Sequence, residues 1–191
     1  MGHTIHAFKR NVNMTYVVMD NHVYGLTKGQ ASPRSDIGFV TKTTPRGAFE
    51  SPLSVCETAI AAGATFVAQG YMINRAELVD LIQQAMDHEG FSFINVFSPC
   101  VTYNKHNSYD WFKEHLVALP EGYDPTDRAT ALKTLGETDG LVTGLIYQDK
   151  SKPSFEKAMA AANGGPHPRP LTEDVVKPDQ ALFDSLCNQF K

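Results

Sequence analysis

The residues best suited to chemistry stand in a short loop, Asp20-Asn21-His22-Val23-Tyr24-Gly25. An Asn side-chain oxygen and a backbone carbonyl two residues later, at Val23, are hard oxygen donors for one octahedral Mg²⁺. They leave the other positions for diphosphate oxygens, water and a carboxylate. The same Asp-Asn pair is also an ordinary turn former at the end of a strand. Downstream, Cys100 follows Ser98-Pro99 at the end of an apolar run. A lone thiol there is either a small buried hydrophobe or a metal ligand. Cys56 and Cys187 read as buried structural thiols. His106 and His115 follow Cys100 and suggest a thiol-imidazole hydrolase, but no nucleophile elbow or oxyanion signature accompanies them. His3 and His6 stand three residues apart and share a helix face, a spacing found in metal sites. With no acidic or Cys partner near them in sequence, they read first as helix-face packing.

These residues need a scaffold, and 191 residues suffice for one α/β domain. The chain is 42% hydrophobic and 20% charged, with a formal net charge of −4, which fits neither a disordered polyelectrolyte nor a broad nucleic-acid surface. We expect no nucleic-acid partner. Absent an apolar run long enough to cross a bilayer, and a signal peptide at Met1–Arg10, we also expect no membrane and a cytoplasmic location. Three cysteines far apart are a poor disulfide framework and too few for a self-contained four-thiolate site.

The run Met14–Met19 predicts a strand covered on both faces, Ala64–Gln69 a second, Phe91–Phe97 a third and Leu141–Gln148 a fourth. Gly2–Arg10 is a short helix. Ser51-Pro52 predicts a helix start running to Ala62 and stopping at Gly63. Asn74 with Glu77 makes a capping-box-like start for a helix that ends near Gly90. Tyr109–Leu116, Thr126–Leu135, Ser154–Ala162 and Pro178–Phe190 read as further helices; Trp111 and Phe112 read as core or interface. Residues 21–34 read as a loop at a strand's carboxyl end, where open α/β sheets bind ligands. The expected architecture is α/β, a mainly parallel sheet with helices on both faces. Its expected division is 1–150 as the α/β domain and 151–191 as a C-terminal helical extension, joined by the turn-rich connector Gly164–Pro170.

The words HAFKRN, YVVMDNHVYGLTKGQASP and FSPCVTYN, in this order and spacing, resemble the thiamine-diphosphate-binding beta subunit of 2-oxoacid:ferredoxin oxidoreductases, particularly the 2-oxoglutarate type. The likeness runs from Gly2 to about Gly144. It implies that Asn21 and Val23 hold Mg²⁺, that Tyr24, Gly25, Leu26 and Thr27 border thiamine diphosphate, and that His3 and His6 lie close to it. It further implies that Leu26 and Lys28 act on the substrate side, Lys28 beside a carboxylate or the diphosphate. Cys100 would be one of four thiolates on a 4Fe-4S cluster.

In the intact assembly the resemblance implies oxidative decarboxylation of a 2-oxoacid, with electrons passed singly to the cluster and on to ferredoxin, and the acyl group to coenzyme A. An alpha subunit is the expected partner, and the carboxylate that activates the aminopyrimidine is expected from a partner subunit. The family's Gly-Asp-Gly word and three further cysteines would fall before Met1. The chain therefore reads as N-terminally incomplete, or as a short chain completed by an upstream piece, and inactive in isolation. The rival expectation is a noncatalytic assembly or binding module with the same fold and an incomplete site.

Overall fold

A computed structural model describes residues 2–166 and 179–189. They fall into two units, 1–156 and 157–191. Within the first, α1 (Gly2–Arg10) leads into β1 (Met14–Asp20), which is followed by a two-residue hairpin, β2 (Val23–Tyr24) and β3 (Gln30–Ala31). Then come α2 (Val55–Ala62), β4 (Phe66–Tyr71), α3 (Arg75–Asp87), β5 (Phe91–Phe97), α4 (Tyr109–His115), β6 (Val117–Ala118), α5 (Arg128–Glu137), β7 (Val142–Gln148) and the start of α6 (Phe155–Ala162). The second unit holds the rest of α6 and α7 (Gln180–Asn188). The expected connector and the outer ends of the expected terminal helix lie partly outside the described residues.

The main sheet has the order β1-β5-β4-β7-β6. β1 and β4 both pair with β5 in parallel, β6 pairs with β7 in parallel, and β7 runs antiparallel to β4 with a bulge at Val67/Ala68. One face packs Val67, Phe91, Phe93 and Ile146 against Phe8 of α1, Ile60 of α2 and Leu135 of α5. The other packs Phe66, Ala68, Ile94 and Val96 against Leu81 and Ala85 of α3. At the carboxyl end of the parallel strands, Tyr71, Phe97 and Phe112 close the core. The expected mainly parallel sheet with helices on both faces is the observed one.

The continuous apolar runs explain the central strands: β4 and β5 are buried at every residue. β1 carries the same kind of run but differs. It is an edge strand, and Met14, Tyr16, Val17 and Met19 are exposed, which corrects the expectation of cover on both faces. An apolar run specifies strand, not its place in the sheet. α2 begins at Val55 behind Ser54, not at Ser51-Pro52; its stop is as expected, with Gly63 in the left-handed region at φ 97°. Asn74 does cap α3, but its side chain donates to Glu77 Oε2 at 3.0 Å instead of accepting a backbone N–H. Phe112 joins the core, whereas Trp111 is half-buried. Cys56 is buried as expected, while Cys187 is exposed.

Candidate functional site

The candidate residues converge where β1 and β5 end. β1 delivers Asp20 into the core, 4% exposed, and the chain then reverses through His22, which adopts φ 57°. A left-handed non-glycine residue is uncommon and is held here by its neighbours. The His22 N–H donates to Asp20 Oδ1 at 3.3 Å, and its carbonyl accepts the Ser35 hydroxyl at 2.6 Å. The Val23 N–H donates to Asn21 Oδ1 at 3.1 Å, closing an Asx turn that sets the Asn21 oxygen beside the Val23 peptide. The expected loop thus contains structure of its own, the β2–β3 hairpin, whose turn is closed by Gly29 N–H on the Tyr24 carbonyl at 2.9 Å. Leu26 is fully exposed at its tip, and Lys28 is exposed with φ 76°.

Asp20 itself is not a free ligand. Its Oδ2 accepts from Arg34 Nε at 2.8 Å and from Asn95 Nδ2 at 3.3 Å. Burial raises the carboxyl and is outweighed by the His22 hydrogen bond and the Arg34 charge, so Asp20 titrates far below the usual carboxylate range. Arg34 also donates to the Leu53 carbonyl at 2.6 Å and contacts His22 Nε2 at 3.3 Å. His22 lies 3.7 Å from Asp36, and Asp36 accepts from Asn107 Nδ2 at 2.8 Å and faces His106 at 3.3 Å. Burial, which depresses it, is overcome by Asp20 and Asp36, so the His22 imidazole titrates above its ordinary value.

β5 delivers the second loop. Ser98 N–H bonds the Asp20 carbonyl at 2.8 Å, and Pro99 ends the ladder, so Cys100 begins a turn against the first loop. A Cβ added at Gly25 would stand 3.6 Å from Cys100 Sγ, and one at Gly29 only 2.9 Å from the Tyr103 ring. Those two glycines let the loops touch. Burial opposes ionisation of Cys100, but backbone N–H groups of Tyr103, Thr102 and Asn104, with the Lys105 charge, together outweigh it and lower its pKa. Cys56, by contrast, is pushed up to about 12 by burial. Neither His106 nor His115 makes a described contact with Cys100. His106 faces Asp36 and the Trp111 ring, and His115 stacks on Trp111 at 4.3 Å.

Of the expected residues, Gly25 comes against Cys100, and Asn21, Val23 and Tyr24 lie on the same loop as Gly25. His3 and His6 are both exposed; the packed side of α1 is Ile5, Ala7 and Phe8, and no described contact ties either histidine to the loop. Helix-face packing is therefore corrected for this pair. Sequence reasoning missed Arg34, Asp36, Asn95, Asn104 and Asn107. The only available signal was an unusual density of short polar side chains on either side of the two loops.

The donor chemistry can be set against the groups such a site would hold. For Mg²⁺, Asn21 Oδ1 and the Val23 carbonyl are suitable oxygens but only part of a shell, since the nearby carboxylate of Asp20 is consumed by Arg34 and Asn95. For an iron-sulfur cluster, the N–H groups around Cys100 suit a thiolate, and it is a single ligand. Among the described residues no group of three or more His, Cys, Asp or Glu could hold a metal. Two clefts flank the first loop. One of about 450 Å³ lies behind it, lined by His22, Arg34, Cys56, Gln69 and Gly140. The other, about 580 Å³ and open, is lined by Lys28, Gly29, Lys42, Thr102 and Tyr103.

The sheet carries its Asx-turned loop at the carboxyl end of the parallel strands, and residues 1–96 match the thiamine pyrophosphate enzyme, C-terminal TPP binding domain. Residues 100–163 match the C-terminal family of the pyruvate ferredoxin oxidoreductase beta subunit. A 2-oxoglutarate synthase subunit KorB of Methanocaldococcus jannaschii is 41% identical, over 83% of this chain and 58% of that protein. A 2-oxoacid:ferredoxin oxidoreductase subunit beta of Saccharolobus solfataricus is 32% identical over 93% of this chain and 62% of its own length. The solved 2-oxoglutarate:ferredoxin oxidoreductase from Magnetococcus marinus, with 2-oxoglutarate, coenzyme A and succinyl-CoA bound, superposes with a TM-score of 0.81 at 36% identity. That match covers 97% of this chain and 62% of that one. The chain belongs to the beta-subunit family of 2-oxoacid:ferredoxin oxidoreductases. It spans about three fifths of the length of these relatives. Among the described residues no helix is long and apolar enough to cross a membrane.

Proposed function

We propose that this chain forms the thiamine-diphosphate and cluster-thiolate part of a beta subunit that, with an alpha subunit, decarboxylates a 2-oxoacid oxidatively to an acyl-CoA and passes the electrons to ferredoxin. The observation that carries the reading is the approach of its two loops: at Gly25 the first loop leaves so little room that an added Cβ would stand 3.6 Å from Cys100 Sγ. When bound, thiamine diphosphate supplies the carbanion stabilisation that the protein lacks. Asn21 Oδ1 and the Val23 carbonyl offer two oxygens to Mg²⁺, and the Tyr24–Thr27 segment borders the cofactor. Cys100, eased toward the thiolate by its ring of N–H groups, offers one ligand to a 4Fe-4S cluster. Lys28 and Lys42 on the open cleft attract carboxylates, and two cations suit a dicarboxylate better than a monocarboxylate. We therefore infer 2-oxoglutarate as the substrate, with Leu26 at the loop tip limiting the acid's side chain; two relatives named for 2-oxoglutarate support this.

The test is the purified complex containing this chain. We expect Mg²⁺-dependent binding of thiamine diphosphate, bound iron, and reduction of ferredoxin that requires both a 2-oxoacid and coenzyme A, faster with 2-oxoglutarate than with pyruvate. Asn21→Ala should weaken cofactor binding at limiting Mg²⁺, and Cys100→Ser should abolish the cluster signal. A native complex with neither bound cofactor nor iron would refute the reading and leave a noncatalytic assembly module.

A further inference from the structure

Asn104 occupies a position that no catalytic role explains. It is 1% exposed, and every polar atom of its side chain is engaged. Its Nδ2 donates to the Asn21 carbonyl at 3.3 Å and to Asn107 Oδ1 at 2.9 Å. Its Oδ1 accepts the N–H groups of His106 at 3.1 Å and Asn107 at 3.0 Å, which folds the 104–107 turn. Its own N–H donates to the Cys100 carbonyl at 3.2 Å and is one of the three directed at the Cys100 sulfur. One residue therefore bonds the peptide that carries Asn21 and the peptide that carries Cys100. Asn107 extends the brace through Nδ2 to Asp36 at 2.8 Å, which in turn faces His22.

We propose that Asn104 is a positioning residue that fixes the cofactor loop at Asn21–Val23 and the thiolate loop at Cys100 in one mutual geometry, so that a change at either loop is felt by the other. This rests on the function proposed above. Buried amides with all their partners made hold one arrangement, and removing a single donor leaves a half-buried carbonyl short of a bond. The Asn21 carbonyl is that acceptor. Freed from it, the Asx turn can rotate, and the Cys100 turn loses its anchor on the first loop.

Two substitutions separate this brace from the turn it sits in. Asn104→Asp keeps the shape and the acceptor for the His106 and Asn107 N–H groups while deleting the donor to the Asn21 carbonyl and to Asn107 Oδ1. Asn104→Ser keeps a hydroxyl acceptor for the turn, adds no charge and is too short to reach Asn21. Both are made in the whole complex. Three quantities are read: the Mg²⁺ concentration for half-maximal thiamine diphosphate binding, the paramagnetic resonance spectrum of the reduced cluster, and the thermal midpoint. We expect both variants to raise the Mg²⁺ requirement about 3- to 10-fold, the range of one lost hydrogen bond. Both should also change the cluster spectrum, in the cofactor-loaded complex more than in the cofactor-free one. A merely structural role lowers the thermal midpoint and leaves the other two readings of the folded complex at wild-type values; that result overturns the proposal. So does a change in the cluster spectrum confined to Asn104→Asp, which is the added charge alone, or a change at only one of the two loops. Failure of the underlying function is distinguishable, because it appears in the wild-type complex as absent cofactor binding or absent iron before any variant is compared.

Discussion

Replacing Arg34 by Leu tests whether the interior beneath the cofactor loop is held by charge. The guanidinium stands 2.8 Å from Asp20 Oδ2, with the two side chains 19% and 3% exposed. Its loss leaves the carboxylate with Asn95 at 3.3 Å, the His22 N–H at 3.3 Å and the His22 imidazole Nε2 at 3.6 Å, and strips the Leu53 carbonyl of a donor. Breaking a buried pair by removing one partner costs roughly 3–5 kcal/mol. The surviving Asn95 and His22 partners and water at the partly open Arg34 position place this case near the low end, about 3 kcal/mol. In a chain of this size that lowers the thermal midpoint by about 6–12 °C. Urea unfolding of dilute protein, followed through its single tryptophan, Trp111, reads the loss directly. The double variant Arg34→Leu with Asp20→Asn should recover a substantial part of it, since no unpaired charge remains.

The pH dependence is displaced between the two proteins. In the wild type Asp20 titrates far below its ordinary 3.8, so its stabilisation is complete above that value and is withdrawn only as pH falls through the depressed one. In Arg34→Leu the His22 hydrogen bond still lowers the carboxyl against burial, but the Arg34 contribution is gone, so Asp20 titrates higher than in the wild type, its stabilisation is withdrawn at a higher pH, and the deficit shrinks as both proteins become protonated. A loss under about 1 kcal/mol, or single losses that simply add in the double variant, would refute the reasoning.

Other consequences are open to direct measurement. Alkylation of the metal-free folded chain near pH 8 should mark Cys100 long before Cys56, whose thiol is buried and pushed up to about 12; peptide mass mapping that finds equal labelling would contradict the two environments. Gly29→Ala places a methyl 2.9 Å from the Tyr103 ring at a φ of 93°, so residues 24–31 should exchange amide hydrogens faster while β4 and β5 keep their protection. At the opposite end of the sheet, Asn11 accepts from Thr65 at 2.7 Å and the Phe91 N–H at 2.8 Å and donates to the Lys152 and Pro153 carbonyls. Asn11→Ala strands several of these groups and should destabilise the domain by about 2–4 kcal/mol in urea unfolding, with no change in Mg²⁺ requirement.

What the sequence disclosed follows from the range of the physics involved. Phe91–Phe97 and the body of α3 were legible because burial of whole strands and one-sided burial of helices write local periods into the chain. The Asn21 turn and the Cys100 turn were legible as words. The position of β1 at the edge was not, because a run of apolar residues is the same run wherever the strand is placed. α2 began three residues after Pro52 because the segment 51–54 serves Arg34, whose guanidinium takes the Leu53 carbonyl, before the helix starts. The two-residue strands β2 and β3 are too short to carry a period. Arg34, Asp36, Asn104 and Asn107 act through bonds that join segments 14 to 83 residues apart, and no local pattern records such pairs.

The outer edge of β1 has a bearing on handling. Met14, Tyr16, Val17 and Met19 stand partly in solvent on a strand that pairs on one side only, and no Lys, Pro or bulge interrupts it. Natural sheets blunt free edges with such devices because an unblunted one is a template for strand addition by any neighbour. Concentrated preparations of this chain by itself will therefore aggregate edge to edge, and a lysine at Tyr16 or Val17 is the substitution that should keep it in solution.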